Sequence, residues 1–544
     1  MKRLLAYTLL FCPVLVAQTK LATPASATAT SPSKFEIADV HSSSTQRGFG
    51  QSFGGLVNNG FYINRDATML NLIEQAYGVA EDTIAGGPGW VGADMFDVIA
   101  KVPAGTTKAD ADLMLRGLLA ERFGLVVRNE DRPVPRYVMT IGSGSKLKPA
   151  ANESATPGCK AQPQPPSPTP TDLASQPNIK VTCTNLTAAA IAENLHMMAS
   201  GYLDHNVIDA TKLEGSYDFD LEWTSRGALD AKGHDGISIF DAVSKQLGLK
   251  LTKQDIPQQS LAIISVNRKP TSNASGIATA LALPPARFEV ATIKLANPDA
   301  KPFNGILYQG GSTIHAGGTL SFLLALSLQI TPNVAADTII GLPKSATTRV
   351  WDIVGKMPTT GEGAVNTVNG QLRPPPLSVA LEMMRGVLMD QFEMKTHVET
   401  REVPVYLLSA IGKSKLTKAD ESQRVGCRPN PNAPKPPGVV MMVECKNTSM
   451  GELAQLLQQQ ANAYLDHPVI DDTGLEGGWD FLVGWTSKAQ LEAPLPPTAN
   501  GEPSVGNGIS VFDAVEKELG LKLVKGKRTI PVTVVDHVDE TPVQ

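Results

Sequence analysis

Two stretches of this sequence set a histidine among carboxylates: Asp204-His205 with Asp209, and Asp466-His467 with Asp471. Such a set could do general-base chemistry, because a carboxylate that orients an imidazole lets it take a proton near neutral pH. A hydrolase would also need a nucleophile. No Gly-x-Ser-x-Gly elbow or other recognisable Ser or Cys nucleophile motif occurs. Adjacent Asp and His side chains in an extended segment also point to opposite faces. The motif therefore reads as a turn and strand entry, with Asp209 and Asp471 fixing the turns that lead to Gly215 and Gly477. No catalytic residue is assigned.

Cysteine offers a second chemistry. Apart from Cys12, the chain has Cys159, Cys183, Cys427 and Cys445. An even number in an oxidising compartment points to two disulfides. Each pair falls in one half of the chain, so Cys159 is expected to join Cys183 and Cys427 to join Cys445. No CxxC or HxxxH spacing supports metal binding, and neither a metal nor a cofactor is expected.

Tyr77 and Trp90 are the candidate binding residues. Trp90 ends Gly86-Gly87-Pro88-Gly89-Trp90, which lacks the Gly-Lys-Ser/Thr ending of a phosphate loop and reads as a turn. Trp223 and Trp485 alternate with Phe219 and Leu221, and with Phe481 and Val483, as one buried face of a strand would. The Gly/Phe-rich segment 48–60 has no helical period and reads as a loop, either a flexible binding loop or a plain one.

These residues sit on a duplicated framework. Phe35-Glu36-Ile37-Ala38 returns as Phe288-Glu289-Val290-Ala291. Leu203-Asp204-His205-Asn206-Val207-Ile208-Asp209 returns as Leu465-Asp466-His467-Pro468-Val469-Ile470-Asp471. Phe240-Asp241-Ala242-Val243 returns as Phe512-Asp513-Ala514-Val515. The same order in both copies means two similar folded halves, 35–268 and 285–540, with the polar, small-residue stretch 269–284 as linker.

Within a half, short strands alternate with amphipathic helices. Met69, Leu72, Ile73 and Ala76 follow i, i+3, i+4, i+7 spacing and predict a helix from about Asp66 to Tyr77, closed by Gly78. A second helix is predicted over 108–123. Strands near 125–129 and 136–141 follow, joined through Pro133 and Pro135. Ser449 with Glu452 makes a capping box for a helix carrying Met450, Leu453 and Leu457. Ser238 and Ser510 open a last helix in each half. Further strands are read at 261–266 and 530–535. The hairpins argue against a purely parallel sheet, so the fold class is α+β: two homologous halves, each of short mixed or antiparallel sheets flanked by amphipathic helices.

The bulk numbers agree. A chain of 544 residues with 42% hydrophobic and 19% charged residues suits several soluble domains. A net charge of −5 without a Lys/Arg run gives no nucleic-acid footprint. Lys2-Arg3, then the apolar run Leu4 to Val16 and Ala17, has the pattern of a secretory signal peptide over 1–17. The run falls short of the ~20 residues that span a bilayer, and no transmembrane segment is expected after its removal. The Pro-rich stretches 161–177 and 429–437 lie between the members of each cysteine pair and are too polar to order themselves.

Ala76-Tyr77-Gly78, Gly87-Pro88-Gly89-Trp90, Phe96-Asp97-Val98, Leu118-Leu119-Ala120-Glu121-Arg122-Phe123, Val207-Ile208-Asp209 and Leu247-Gly248-Leu249-Lys250-Leu251 together resemble the acidobacterial soil-associated protein family. The resemblance covers nearly all of 35–268 and 288–539. It implies an exported protein with a domain of no assigned function, and no catalytic residues to carry over. The second half departs from the pattern at Ala325-Leu326-Ser327, where Ala76-Tyr77-Gly78 stands in the first, and at Pro374-Pro375-Pro376 before its helix. If the Tyr77 region binds something, the second half need not. The expectation is an exported envelope protein, periplasmic or extracellular, that binds or scaffolds without catalysis. Its partner would be an envelope protein or a small ligand. The alternative is an extracytoplasmic hydrolase with an unrecognised site.

Overall fold

A helix in this chain starts where a Thr or Ser can bind back to its first turn. Thr68 accepts from the Asn71 amide and Thr107 from the Asp110 amide, each in a reciprocal capping box. The helices they open, Met69–Tyr77 and Lys108–Phe123, end at Gly78 and Gly124 in the left-handed conformation. The first starts three residues later than the periodicity predicts. Asp66 has φ 54° and sits in a bulge of the preceding strand, so helical geometry cannot begin there.

The computed structural model describes residues 34–45, 52, 54–152, 154–162, 176–232, 236–297, 303–360, 363–368, 371–412, 414–430, 433–436, 438–439, 442–493 and 508–543. The segment 1–17 read as a signal peptide, part of the Gly/Phe-rich segment and the centres of the Pro-rich stretches lie outside the described residues.

Each half has two lobes on one long ribbon. In the first lobe the strands run Ile37–Ser42, Met95–Lys101, Phe61–Thr68, Leu56–Asn58 across an antiparallel sheet. The two capped helices pack on it through Leu72, Ile73, Phe96, Leu115, Leu119 and Phe123. The ribbon pairs Val126–Ile141 with Leu249–Ser265 along their whole lengths. Where a break was expected at Pro133 and Pro135, one strand runs through. Those prolines are two residues apart, so both ring nitrogens face the same, unpaired edge, where no N–H is needed.

At its far end the ribbon enters a second lobe, contributing Tyr137, Met139 and Leu249 to a core with Leu186, Leu195 and Trp223. Here the sheet order is Lys148–Pro149, Ser216–Trp223, Ile179–Thr187, Gly158–Ala161. Cys159 and Cys183 face each other across the last two strands and form a disulfide. Ser238 caps Ile239–Ala242, which widens into a π-helical turn, Val243–Leu247, and stops at Gly248. A Cβ at Gly248 would run into the Gly144 carbonyl, so only glycine lets the loop close.

The second half repeats this plan. Its first sheet holds Val290–Leu295, Val350–Lys356, Thr313–Thr319 and Gly305–Gln309, and its ribbon pairs Lys395–Ala410 with Leu521–His537. Its second lobe carries the Cys427–Cys445 disulfide and the helix Met450–Gln460, capped by Ser449 and Glu452. Trp223 is fully buried, and Trp485 packs against the corresponding core. The fold is α+β in two homologous halves. The stretch after the first ribbon is tied down: Arg122 donates to Thr271 Oγ1 at 2.9 Å and to Asn273 Oδ1 at 2.7 Å.

Candidate functional site at the junction of the halves

The Asp-His motif is built by strand register. Tyr137 and Lys253 are partners across the ribbon, and both reach Asp204: the Tyr137 hydroxyl donates to Oδ1 and the Lys253 ammonium to Oδ2, each at 2.9 Å. In the second half Tyr406 donates to Asp466 at 2.9 Å. Burial, then the neighbouring carboxylate, pushes each tyrosine up to about 12, so both are neutral donors at pH 7. Burial also holds the His205 imidazole below its ordinary value. Asp209 Oδ1 accepts from the Thr211 amide and hydroxyl, and Asp471 does the same with Thr473, so both carboxylates close turns. No serine, threonine or cysteine side chain bonds to His205 or His467 among the described residues.

Tyr77 and Trp90 pack on one core from separate elements. The Arg116 guanidinium lies 4.3 Å from the Tyr77 ring centroid while donating to the Ala76 carbonyl at 3.1 and 2.8 Å. Trp90 stands edge-on to Phe96, 6.2 Å away, in a half-buried turn.

That turn, Gly89–Gly92, does something sequence reading missed: it docks the halves. Gly89 donates to the Glu421 carbonyl at 2.9 Å and accepts from the Val425 amide at 3.2 Å. Arg424 adds a bond to the Pro88 carbonyl at 3.3 Å. A Cβ at Gly89 would run into the Gln423 carbonyl and the Asn447 amide. At the equivalent place the second half has Lys344. Burial lowers the Arg424 guanidinium and raises the Glu81 carboxyl.

Two clefts open along this junction. One, of about 310 Å³, lies between Met95 and Ala93 of the first half and Cys427, Gln455, Leu456 and Gln459 of the second. The other, of about 150 Å³, is polar and includes Ser44, Arg65, Asp66, Glu382 and Arg385. Beside it runs a charged network of buried carboxylates around the exposed His41. His41 Nδ1 is 3.0 Å from Asp39 and its Nε2 is 3.7 Å from Asp97. Asp97 accepts from the Asp66 amide at 2.9 Å and from Arg65 at 3.3 Å. Asp66 accepts from Ser43 at 2.7 Å and, across the junction, from Ser378. The alternation Asp39-x-His41 on one strand was the available signal; the partners come from distant strands.

These carboxylates already have donors, and no hydroxyl or thiol bonds to His41 among the described residues. Among the described residues, the set of possible metal ligands that gathers within 4.8 Å is Glu393, His537 and Asp539, at the surface and away from the junction. No described helix is long and apolar enough to cross a membrane.

Fold and junction together define a tandem α+β protein whose halves meet through a glycine turn, with two clefts along it. The chain belongs to the family described as protein of unknown function (DUF3738), whose model matches residues 70–266 and again 325–538. The match carries the duplication; a soil or acidobacterial source is not part of it. No curated protein and no solved structure matches the chain.

Proposed function

We propose that this is an exported, non-catalytic binding or scaffolding module of the bacterial cell envelope, with its binding site at the junction of the halves. The observation that carries this reading is the larger cleft. Both halves wall it. The first half brings Gly92, Ala93 and Met95, and the second brings the outermost strand of a sheet, Gly426–Asn430, and a helix face with Gln455 and Gln459. A strand edge and side-chain amides hold extended or polar partners by hydrogen bonds, without a nucleophile or base. The signal pattern at Lys2-Arg3 and the two disulfides support export. Candidate partners are an envelope protein or a small ligand.

The test is affinity capture from envelope extract with the wild-type chain and with Gly89→Lys, followed by cross-linking from Gln455 and Gln459. The expected result is a partner that cross-links to these positions and is lost with the variant. A partner held equally well by both proteins would sink the reading.

The hydrolase reading keeps one observation in its favour, the placing of His41 between Asp39 and Asp97. Ester, peptide and glycoside panels decide it. An activity of the wild type that disappears in folded His41→Ala, His205→Ala or His467→Ala would replace the binding reading.

A further inference from the structure

The duplication gives each charged residue of one half an internal reference in the other. Arg116 and Arg385 occupy the same position on equivalent helices, as do Leu113 and Glu382. In the first half Arg116 is fully engaged, donating to the Ala76 carbonyl and lying over Tyr77. In the second half Arg385 engages neither counterpart of those partners. Aligned on the N-caps Thr68 and Thr319 and on the left-handed residues Gly78 and Gln329, Leu328 stands where Tyr77 does, and the Ser327 carbonyl, the counterpart of that of Ala76, takes no bond from Arg385. Arg385 is thereby released. Among the described residues its side chain forms no hydrogen bond or ion pair, and the same is true of Glu382.

Both released groups line the polar cleft of about 150 Å³. They are three residues apart on the helix Leu377–Gln391 and so lie on one face, yet they are not paired with each other. Across the cleft is Asp66, 2% exposed, whose carboxylate is held in place by Ser43 and Ser378. Among the described residues the site thus offers Arg385 as a free cation and Glu382 as a free carboxylate beside the fixed carboxylate of Asp66, with Ser44 and Thr45 on the rim.

We propose that this cleft binds a free α-amino acid. The ligand's carboxylate pairs with the Arg385 guanidinium, and its ammonium lies between Glu382 and Asp66. A guanidinium fork suits a carboxylate, and a group with three N–H donors suits two carboxylates. The volume limits the ligand to a small molecule. Arg65 and Asp97, which also line the cleft, pair with each other, so a simple anion would leave Glu382 unpaired, a simple amine would leave Arg385 unpaired, and a molecule carrying both charges satisfies both. The inference rests on the reading of the junction as a binding site and supplies one ligand class for it.

Calorimetry and thermal-shift titration of the full chain with the standard amino acids, beside L-lactate and ethanolamine, test this. At least one small amino acid is expected to bind, and lactate and ethanolamine are expected to bind at least about tenfold more weakly. Arg385→Met and Glu382→Gln are expected to lower that affinity by about tenfold or more with an unchanged melting temperature, because neither residue has a structural partner. Arg116→Met, in the first half, is expected to lower the melting temperature and leave binding intact.

No binding by any amino acid, equal binding of lactate, or unchanged binding in Arg385→Met would each overturn the proposal. If amino acids fail while Gly89-dependent capture succeeds, this proposal alone falls. If amino acids bind through Arg385 and capture fails, the cleft stands and the broader reading of the larger cleft falls.

Discussion

His467 stands 2.8 Å from Asp337, joining the two lobes of the second half. In the first half the corresponding carboxylate, Asp82, is taken by Arg136 and Asn206 instead. Val405 and Pro468 occupy the places of Arg136 and Asn206, so His467 inherits the tie. The expected consequence is asymmetric. His467→Ala should cost about 1 kcal/mol, the worth of a part-buried hydrogen bond, and His205→Ala less. Urea unfolding of the two variants measures this; equal losses would refute the tie.

Gly89 should resist every substitution. Gly89→Ala places a methyl against the Gln423 carbonyl and Asn447, and an effect of about 1–3 kcal/mol is expected from the forced shift. Hydrogen exchange should rise at the Val425 amide, whose acceptor is the Gly89 carbonyl. Lys344→Gly, at the same place in the second half, should leave exchange at Val425 unchanged.

The disulfides close loops with sequence separations of 24 and 18 residues. Each is expected to stabilise the chain by about 3 kcal/mol on a loop-entropy account. Non-reducing peptide mapping should recover Cys159 with Cys183 and Cys427 with Cys445, and a cross-half pair would contradict both. Losing the second pair should also loosen the junction, since Cys427 lies two residues beyond Val425. Losing the first should not.

His397 gives a pH signature. Its Nδ1 is 2.9 Å from Asp536 and its Nε2 is 3.6 Å from Glu399, and the bond to Asp536 leads in holding its pKa above the ordinary value. A raised folded pKa means stability that is fully present below the unfolded value of about 6.5 and is lost as pH rises through the folded one. The side chain is half exposed, so the effect on stability is small. An NMR titration should place His397 above a free histidine, and Asp536→Asn should bring it down. A midpoint insensitive to that change would exclude the pair.

What could be read in the sequence was local or repeated. The Ser449–Glu452 box, the 108–123 helix and the cysteine pairs declare themselves within a few residues or by recurrence. The bulge at Asp66 was hidden, because nothing near it in the chain shows a strand that must kink to present a carboxylate to Ser378. The ribbon was hidden too, since prolines weaken a strand reading unless the unpaired edge is known. At the site, Asp204 and Asp466 were found but not their tyrosines, which only strand register supplies. Gly89 was read correctly as part of a turn, while its role depends on Glu421 and Val425, more than three hundred residues away.

The contact at Gly89 also bears on growth of larger assemblies. A twofold pair consumes the same patch on both members, whereas this contact uses a different patch on each and leaves one of each kind unspent, the arrangement from which filaments are built. The unspent patches are altered. The loop of the first half keeps the geometry of its counterpart: Asn152 binds the Ser154 amide at 3.0 Å as Asp420 binds Ser422 at 2.9 Å, and Asn185 holds the Ala155 carbonyl as Asn447 holds that of Gln423. Yet Pro157 stands where Val425 donates, and proline has no N–H to give. At the other end Lys344 brings a side chain where the fit admits none. Polymerisation through this contact is barred chemically at both termini of the series, so the same duplication that built the junction also stops it at two.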